Sequence, residues 1–272
     1  MEKEQLPMKE QRIILVTSIT FVIYFVLDAL YFKDFRALVN QEIPSWGLSQ
    51  IITYAVSGIP IYIGVYLLSI NKSWLNKIGF TKSPLKDFHF PLLATVPMFL
   101  GFALLFNYNY SMTSDEFLVQ VLAAAFFEEL FLRGFLFGVL FRFTKLGFLP
   151  AVLAGAILFG LSHLYQSNDV LEAFGIFGIT FLGGILFAWL FAEWEYNLWI
   201  PIYLHFFMNL ASLMFSATDN ALGSIMFNIL RFSTVALIVF FTVSKKRKQG
   251  KPFEVRKATI WMKKPDQTSD FH

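Results

Sequence analysis

Eight runs of apolar residues, each close to the length that crosses a bilayer, constrain this chain more than anything else in it. A helix needs about 20 residues, at about 1.5 Å each, to span the hydrocarbon. The runs lie at about residues 13–32, 48–70, 89–107, 116–141, 148–166, 170–192, 198–215 and 222–244. Inside a membrane only helices or closed barrels satisfy every backbone group. These Gly-, Ala- and Phe-rich runs lack the alternation of barrel strands. The sequence therefore predicts an all-α, polytopic transmembrane bundle of about eight spans.

Composition agrees: 56% of residues are hydrophobic and only 15% charged, which excludes an ordinary soluble enzyme. The net charge of +3 is small, and no nucleic-acid partner is expected. With no cysteine, disulfides, thiolate metal sites and a cysteine nucleophile are excluded. The first apolar run is read as an uncleaved span, because no small-residue cleavage site follows it. One transmembrane domain is expected over residues 1–244, followed by a basic, disordered tail over 245–272.

The basic residues outside the spans set an orientation. Lys3, Lys9 and Arg12 precede the first span. Lys72, Lys77, Lys82 and Lys86 fall between spans two and three, Arg142 and Lys145 between four and five, and Lys245, Lys246, Arg247, Lys248 and Lys251 in the tail. With eight spans all of these share one side, and the other side holds Lys33 and Arg36. Both termini are therefore expected in the cytoplasm. The short Lys-rich loops suggest a bacterial plasma membrane. Trp189, Trp194 and Trp199 are expected to form an interfacial aromatic belt.

Against this background the ionisable and amide groups inside spans stand out, since each costs about 2.5–3.5 kcal/mol near a helix centre. Span four carries Glu128, Glu129 and Arg133. Span five carries His163, one turn after Phe159; span seven carries His205 and Asn209; span eight carries Asn228 and Arg231. Glu129 and Arg133 are four residues apart, which predicts an ion pair within one α-helix. On an α-helix Glu128 lies about 140° from Arg133 and must find another partner. Arg231 is expected to pair with Glu172 or Asp28, or to reach a lipid phosphate.

Counting residues from the cytoplasmic ends places Glu128, His163, His205 and Asn209 at roughly one depth, about 17–22 Å in, with His205 one turn shallower than Asn209. Three helices can thus bring them to one buried, water-accessible cavity. A glutamate and a histidine beside one water form a plausible general base. A second histidine with an asparagine one turn away supplies donors for a developing oxyanion. Equally, Glu128, His163 and His205 are a ligand set for a divalent metal such as zinc, with a fourth position left for water.

These residues fall into three patterns. E-E-x-x-x-R is matched by Glu128, Glu129 and Arg133, with Phe131 and Gly134 in keeping. F-x-x-x-H is matched by Phe159 and His163, and H-x-x-x-N by His205 and Asn209. In that order, inside membrane spans, they resemble the CPBP family of intramembrane proteases, which includes CAAX prenyl endopeptidases and Abi-type immunity proteins. The resemblance covers about residues 115–215. It implies Glu128 as the catalytic carboxylate, His163 as its helper in activating water, and His205 with Asn209 as the oxyanion site. Glu129 and Arg133 are implied as structural supports, with Phe159 packed beside them. The implied substrate is a membrane-associated or lipidated protein or peptide. The resemblance leaves a glutamate and a metal mechanism both open. Two other classes fit intramembrane acids and histidines: an ion-coupled transporter, and a non-enzymatic immunity or scaffold protein.

Overall fold

A computed structural model describes residues 10–68, 74–80 and 83–263. Lys3, Lys9, Lys72, Lys82, His272 and the end of the tail lie outside the described residues. Within them the chain is all helical, and the one β-bridge, Leu146 with Met262, belongs to no strand.

The long helices are α1 (Glu10–Glu42), α2 (Trp46–Ser57) and α3 (Ile59–Leu67), joined at Gly58, then α4 (His89–Leu105). The central helix follows, Phe117–Phe137, continued by α5 (Gly138–Phe143). Then come α6 (Phe148–Ser162), α7 (Val170–Glu193), α8 (Trp199–Met214) and α9 (Ile225–Lys248). Five segments are long and apolar enough to cross a membrane: Glu10–Glu42, Trp46–Leu67, Phe148–Gln166, Val170–Glu193 and Ile225–Lys248. His89–Leu105 and Trp199–Met214 are apolar but shorter. At 33 residues α1 overshoots the run expected at 13–32. At 1.5 Å per residue it is about 50 Å long, more than the hydrocarbon needs, so it tilts or projects beyond it.

The central helix departs most from expectation. Residues 117–137 are wound as a π-helix, in which each N–H reaches the carbonyl five residues back. Residues five apart, such as Glu128 and Arg133, are then no longer on opposed faces, and the α-helical separation of 140° does not apply. The helix is the hub of the bundle, packed on α2 and α8 and, over fewer residues, on α1 and α6. Its apolar face buries Phe127, Leu130, Phe131, Phe135 and Phe137 in the main core. Phe131 meets Tyr24 of α1 at 4.9 Å between ring centroids, and Phe127 stacks on Tyr54 of α2 at 5.2 Å. Such aromatic pairs lock helix rotation beyond what area burial alone achieves.

Where α6 and α7 cross, Gly184 lies against Ala156, and an added Cβ would sit 3.2 Å from the Ala156 backbone. That close approach is the packing role expected of membrane glycines. Gly178 and Gly183, by contrast, have nothing within 4 Å of where a Cβ would stand.

Three expectations are corrected. Trp194 turns inward rather than outward: it is 9% exposed, stacks on Phe90 at 4.3 Å and donates its indole N–H to Thr242 at 3.0 Å. Arg231 pairs with neither Glu172 nor Asp28; it donates to the Ala221 carbonyl at 2.8 Å and lies 4.5 Å over the Phe227 ring. Residues 245–263 are not a disordered tail. Helix α9 continues to Lys248, and residues 251–263 return as a strap across the end of the bundle. The Glu193 carboxylate holds this strap by accepting from the Glu254 and Val255 N–H groups at 3.2 and 2.9 Å, and pairs with Lys246 at 3.3 Å. The Tyr196 hydroxyl donates to Glu254 at 3.0 Å. Gly147 and Leu149 donate to the carbonyls of Trp261 and Ile260, both at 2.9 Å, and Lys263 reaches the Phe141 carbonyl. Burial pushes the Lys263 amine down to about 8, against the opposing pull of Glu254 and Glu10. Counting basic residues marked this segment as a disordered tail, but could not show that buried Glu193 accepts from its backbone.

Candidate active site

The site is built from the middle of the central helix outward. Glu129 is fully buried and receives two donors on one oxygen: Arg133 Nη1 at 3.1 Å and His205 Nδ1 at 2.9 Å. The Glu129–Arg133 pair forms as the spacing predicted, and the His205 contact ties it to α8. Arg133, 2% exposed, lies 4.9 Å from the Phe159 ring and 5.4 Å from the Phe187 ring. Phe187 also packs on His205 at 5.5 Å. Two aromatic faces thus cover a charge that hydrocarbon would otherwise meet. Phe187 was not singled out in the sequence, where one phenylalanine among 34 carries no signal.

Glu128 turns toward the other edge of the same imidazole. Its Oε2 is 3.9 Å from His205 Nε2, and its side chain keeps 22% of its exposure while Glu129 keeps none. The two adjacent acids are therefore divided by burial: one is sealed between Arg133 and His205, the other is reachable. When His205 donates from Nδ1 to Glu129, its Nε2 edge is fixed toward Glu128, the orienting role a carboxylate plays for a catalytic histidine. A hydrogen on Nε2 would point into the space beside Glu128.

His163 is the C-cap of α6, not an interior residue of the helix. Its Nδ1 bonds the Phe159 carbonyl at 2.7 Å, with the Ser162 hydroxyl at 3.3 Å. A carbonyl only accepts, so Nδ1 carries the proton and Nε2 presents a lone pair. The His163 and Phe159 rings meet edge to face at 4.5 Å. Among the contacts of the described residues none joins His163 to Glu128; Glu128 meets His205 instead. Phe159, touching both Arg133 and His163, links the two halves of the site.

Asn209, one turn after His205 on α8, donates its side-chain N–H to the Gln120 carbonyl at 2.7 Å. One amide hydrogen is thereby committed to the central helix, leaving the other for a substrate oxygen. Among the described residues no three His, Asp or Glu side chains are grouped as a metal would require, so the Glu128, His163 and His205 set does not fit that role as it stands.

Glu128, Glu129, His205 and Asn209 are held at one junction of the central helix and α8, with His163 joined through Phe159 and Arg133. A partly exposed acid, an oriented histidine and an amide are groups from which general-base and oxyanion chemistry can be built. No curated protein matches the chain. Residues 113–211 match the family model described as type II CAAX prenyl endopeptidase, Rce1-like. That stretch holds all seven residues singled out above, Glu128, Glu129, Arg133, Phe159, His163, His205 and Asn209, and the match supports a CAAX-type intramembrane protease family for it.

Proposed function

We propose that this protein is an intramembrane endopeptidase that hydrolyses a peptide bond in a membrane-associated or lipidated, CAAX-like protein. The observation that carries the reading is the unequal burial of Glu128 and Glu129 on either side of His205. Glu128 takes the proton of the attacking water. His163, with its Nε2 lone pair, assists in orienting that water. His205 and the uncommitted N–H of Asn209 donate to the carbonyl oxygen as it becomes an oxyanion. Glu129 and Arg133 fix the His205 ring and stay out of the chemistry. Proton return from Glu128 to the leaving amine completes hydrolysis without a covalent enzyme intermediate.

The same reading places the chain in a membrane with eight crossings. In that count the central helix and α5 form the fourth crossing, α4 and α8 supply two shorter ones, and both termini face the cytoplasm, on the side rich in Lys and Arg. A bacterial plasma membrane is its proposed location.

The test is cleavage of a lipidated peptide by the purified protein in ¹⁸O-enriched water, with products read by mass spectrometry. The reading expects one ¹⁸O in the new carboxyl group. Intact peptide, under conditions where the protein is folded, would contradict it.

A further inference from the structure

The strap over residues 251–263 has two faces, and holding the bundle together uses only one of them. Its inner face packs Val255 and Ile260 on the main core and buries Thr259 and Lys263. Its outer face carries Arg256, Lys257, Trp261 and Met262, all exposed, with Trp261 at 66% and Met262 at 69%. Backbone pairing fixes which face is which. The Ile260 and Trp261 carbonyls accept from Leu149 and Gly147, and the Lys263 N–H donates to the Lys145 carbonyl at 2.8 Å. A tight turn over Lys257–Thr259 is closed by the Thr259 N–H on the Arg256 carbonyl, also at 2.8 Å. With its backbone pinned on both sides, Trp261 keeps its ring on the outer face.

The place of the strap in the fold says what covers that face. It touches the chain where helices begin or end on one side of the bundle. Its partners are Phe141 in the last turn of α5, Gly147 and Leu149 at the start of α6, Glu193 at the end of α7, and Lys246 near the end of α9. Arg142, Lys145, Lys245, Arg247 and Lys248 stand at the same end. The strap thus lies at the boundary where the apolar helices leave the bilayer. Tryptophan is enriched at such boundaries because one edge of its ring is apolar and the other polar. The outer face is also cationic: residues 256–262 contain Arg256 and Lys257 and no acid. Among the described residues neither cation is in an ion pair, whereas Lys246 and Lys251 are held by Glu193 and Glu195. Apolar rings and methyls beside available cations complement the anionic headgroup layer of a membrane.

We propose that the outer face of the strap is a docking surface for anionic phospholipid. Trp261 and Met262 seat between headgroups and acyl chains, and Arg256 and Lys257 meet the lipid phosphates. The inference rests on the bundle lying in a membrane and is independent of the peptidase chemistry.

Quenching of Trp261 fluorescence by brominated lipid tests it. The wild-type chain is placed, one copy to a disc, in nanodiscs of equal parts phosphatidylcholine and phosphatidylglycerol. Bromine is carried near the headgroup end of the acyl chain, on one lipid or on the other. The difference between wild type and Trp261→Phe isolates Trp261 among the six tryptophans. Because the Trp261 ring is exposed and its docking bonds are all backbone, that substitution leaves the strap in place. The Trp261 signal is expected to be quenched about fivefold more strongly by brominated phosphatidylglycerol, the scale of one cation near an anionic surface. Arg256→Gln with Lys257→Gln is expected to make the two lipids equal while quenching persists. A Trp261 signal quenched by neither lipid overturns the proposal, since the ring then faces water. Equal quenching by both lipids in the wild-type chain also overturns it, since the surface then has no preference for anionic lipid.

Discussion

Replacing Glu129 with alanine removes the acceptor shared by Arg133 at 3.1 Å and His205 at 2.9 Å. Arg133 is 2% exposed, so its charge is left in the bundle with only the Phe159 and Phe187 rings beside it. Breaking one side of a buried ion pair costs about 3–5 kcal/mol. Glu129→Gln keeps an oxygen for both donors and loses only the charge, and should cost about 1–3 kcal/mol. Replacing the whole pair, Glu129→Leu with Arg133→Met, removes the stranded charge and should cost less than Glu129→Ala alone. Thermal unfolding in one detergent gives the order wild type, then Glu129→Gln, then Glu129→Ala, with the double variant above Glu129→Ala. Additive losses in the double variant, or a Glu129→Ala protein as stable as wild type, would refute the ion-pair account.

Glu128→Gln should leave unfolding unchanged, because Glu128 is partly exposed and stands 3.9 Å from His205, while peptidase kcat falls about 10²–10⁴-fold. Gly147→Ala places a Cβ 2.4 Å from the Trp261 backbone, so the strap should detach and residues 251–263 become sensitive to limited proteolysis. The Lys263 amine is pushed from 10.5 down to about 8 by burial. Between those values the docked strap binds fewer protons than the free one, so docking strengthens as pH rises from about 8 toward 10.5. Below about 8 the lysine is charged in both states and that contribution is absent; proteolysis of the strap should therefore slow as the pH is raised through this window. A strap whose sensitivity rises over the same range would contradict this.

The positions of the helices were legible in the sequence because burial in lipid demands long apolar runs, and those runs are visible one residue at a time. The Glu129–Arg133 pair was legible for the same reason: its partners lie within one turn. What could not be read was which element each polar group meets across space. Glu128 was expected to face His163, yet His205 occupies that position, because π winding of the central helix alters the rotation that a 3.6-residue period assumes. His163 fell at a helix end because α6 stops at Ser162, a boundary with no proline or glycine to announce it.

The central claim is that Glu128 activates water for peptide-bond hydrolysis. Its most direct test is cleavage of one lipidated peptide by wild type and Glu128→Ala, purified side by side and matched for folding by their unfolding transitions. The account predicts cleavage by wild type and none above background by Glu128→Ala. Equal cleavage by both would contradict it.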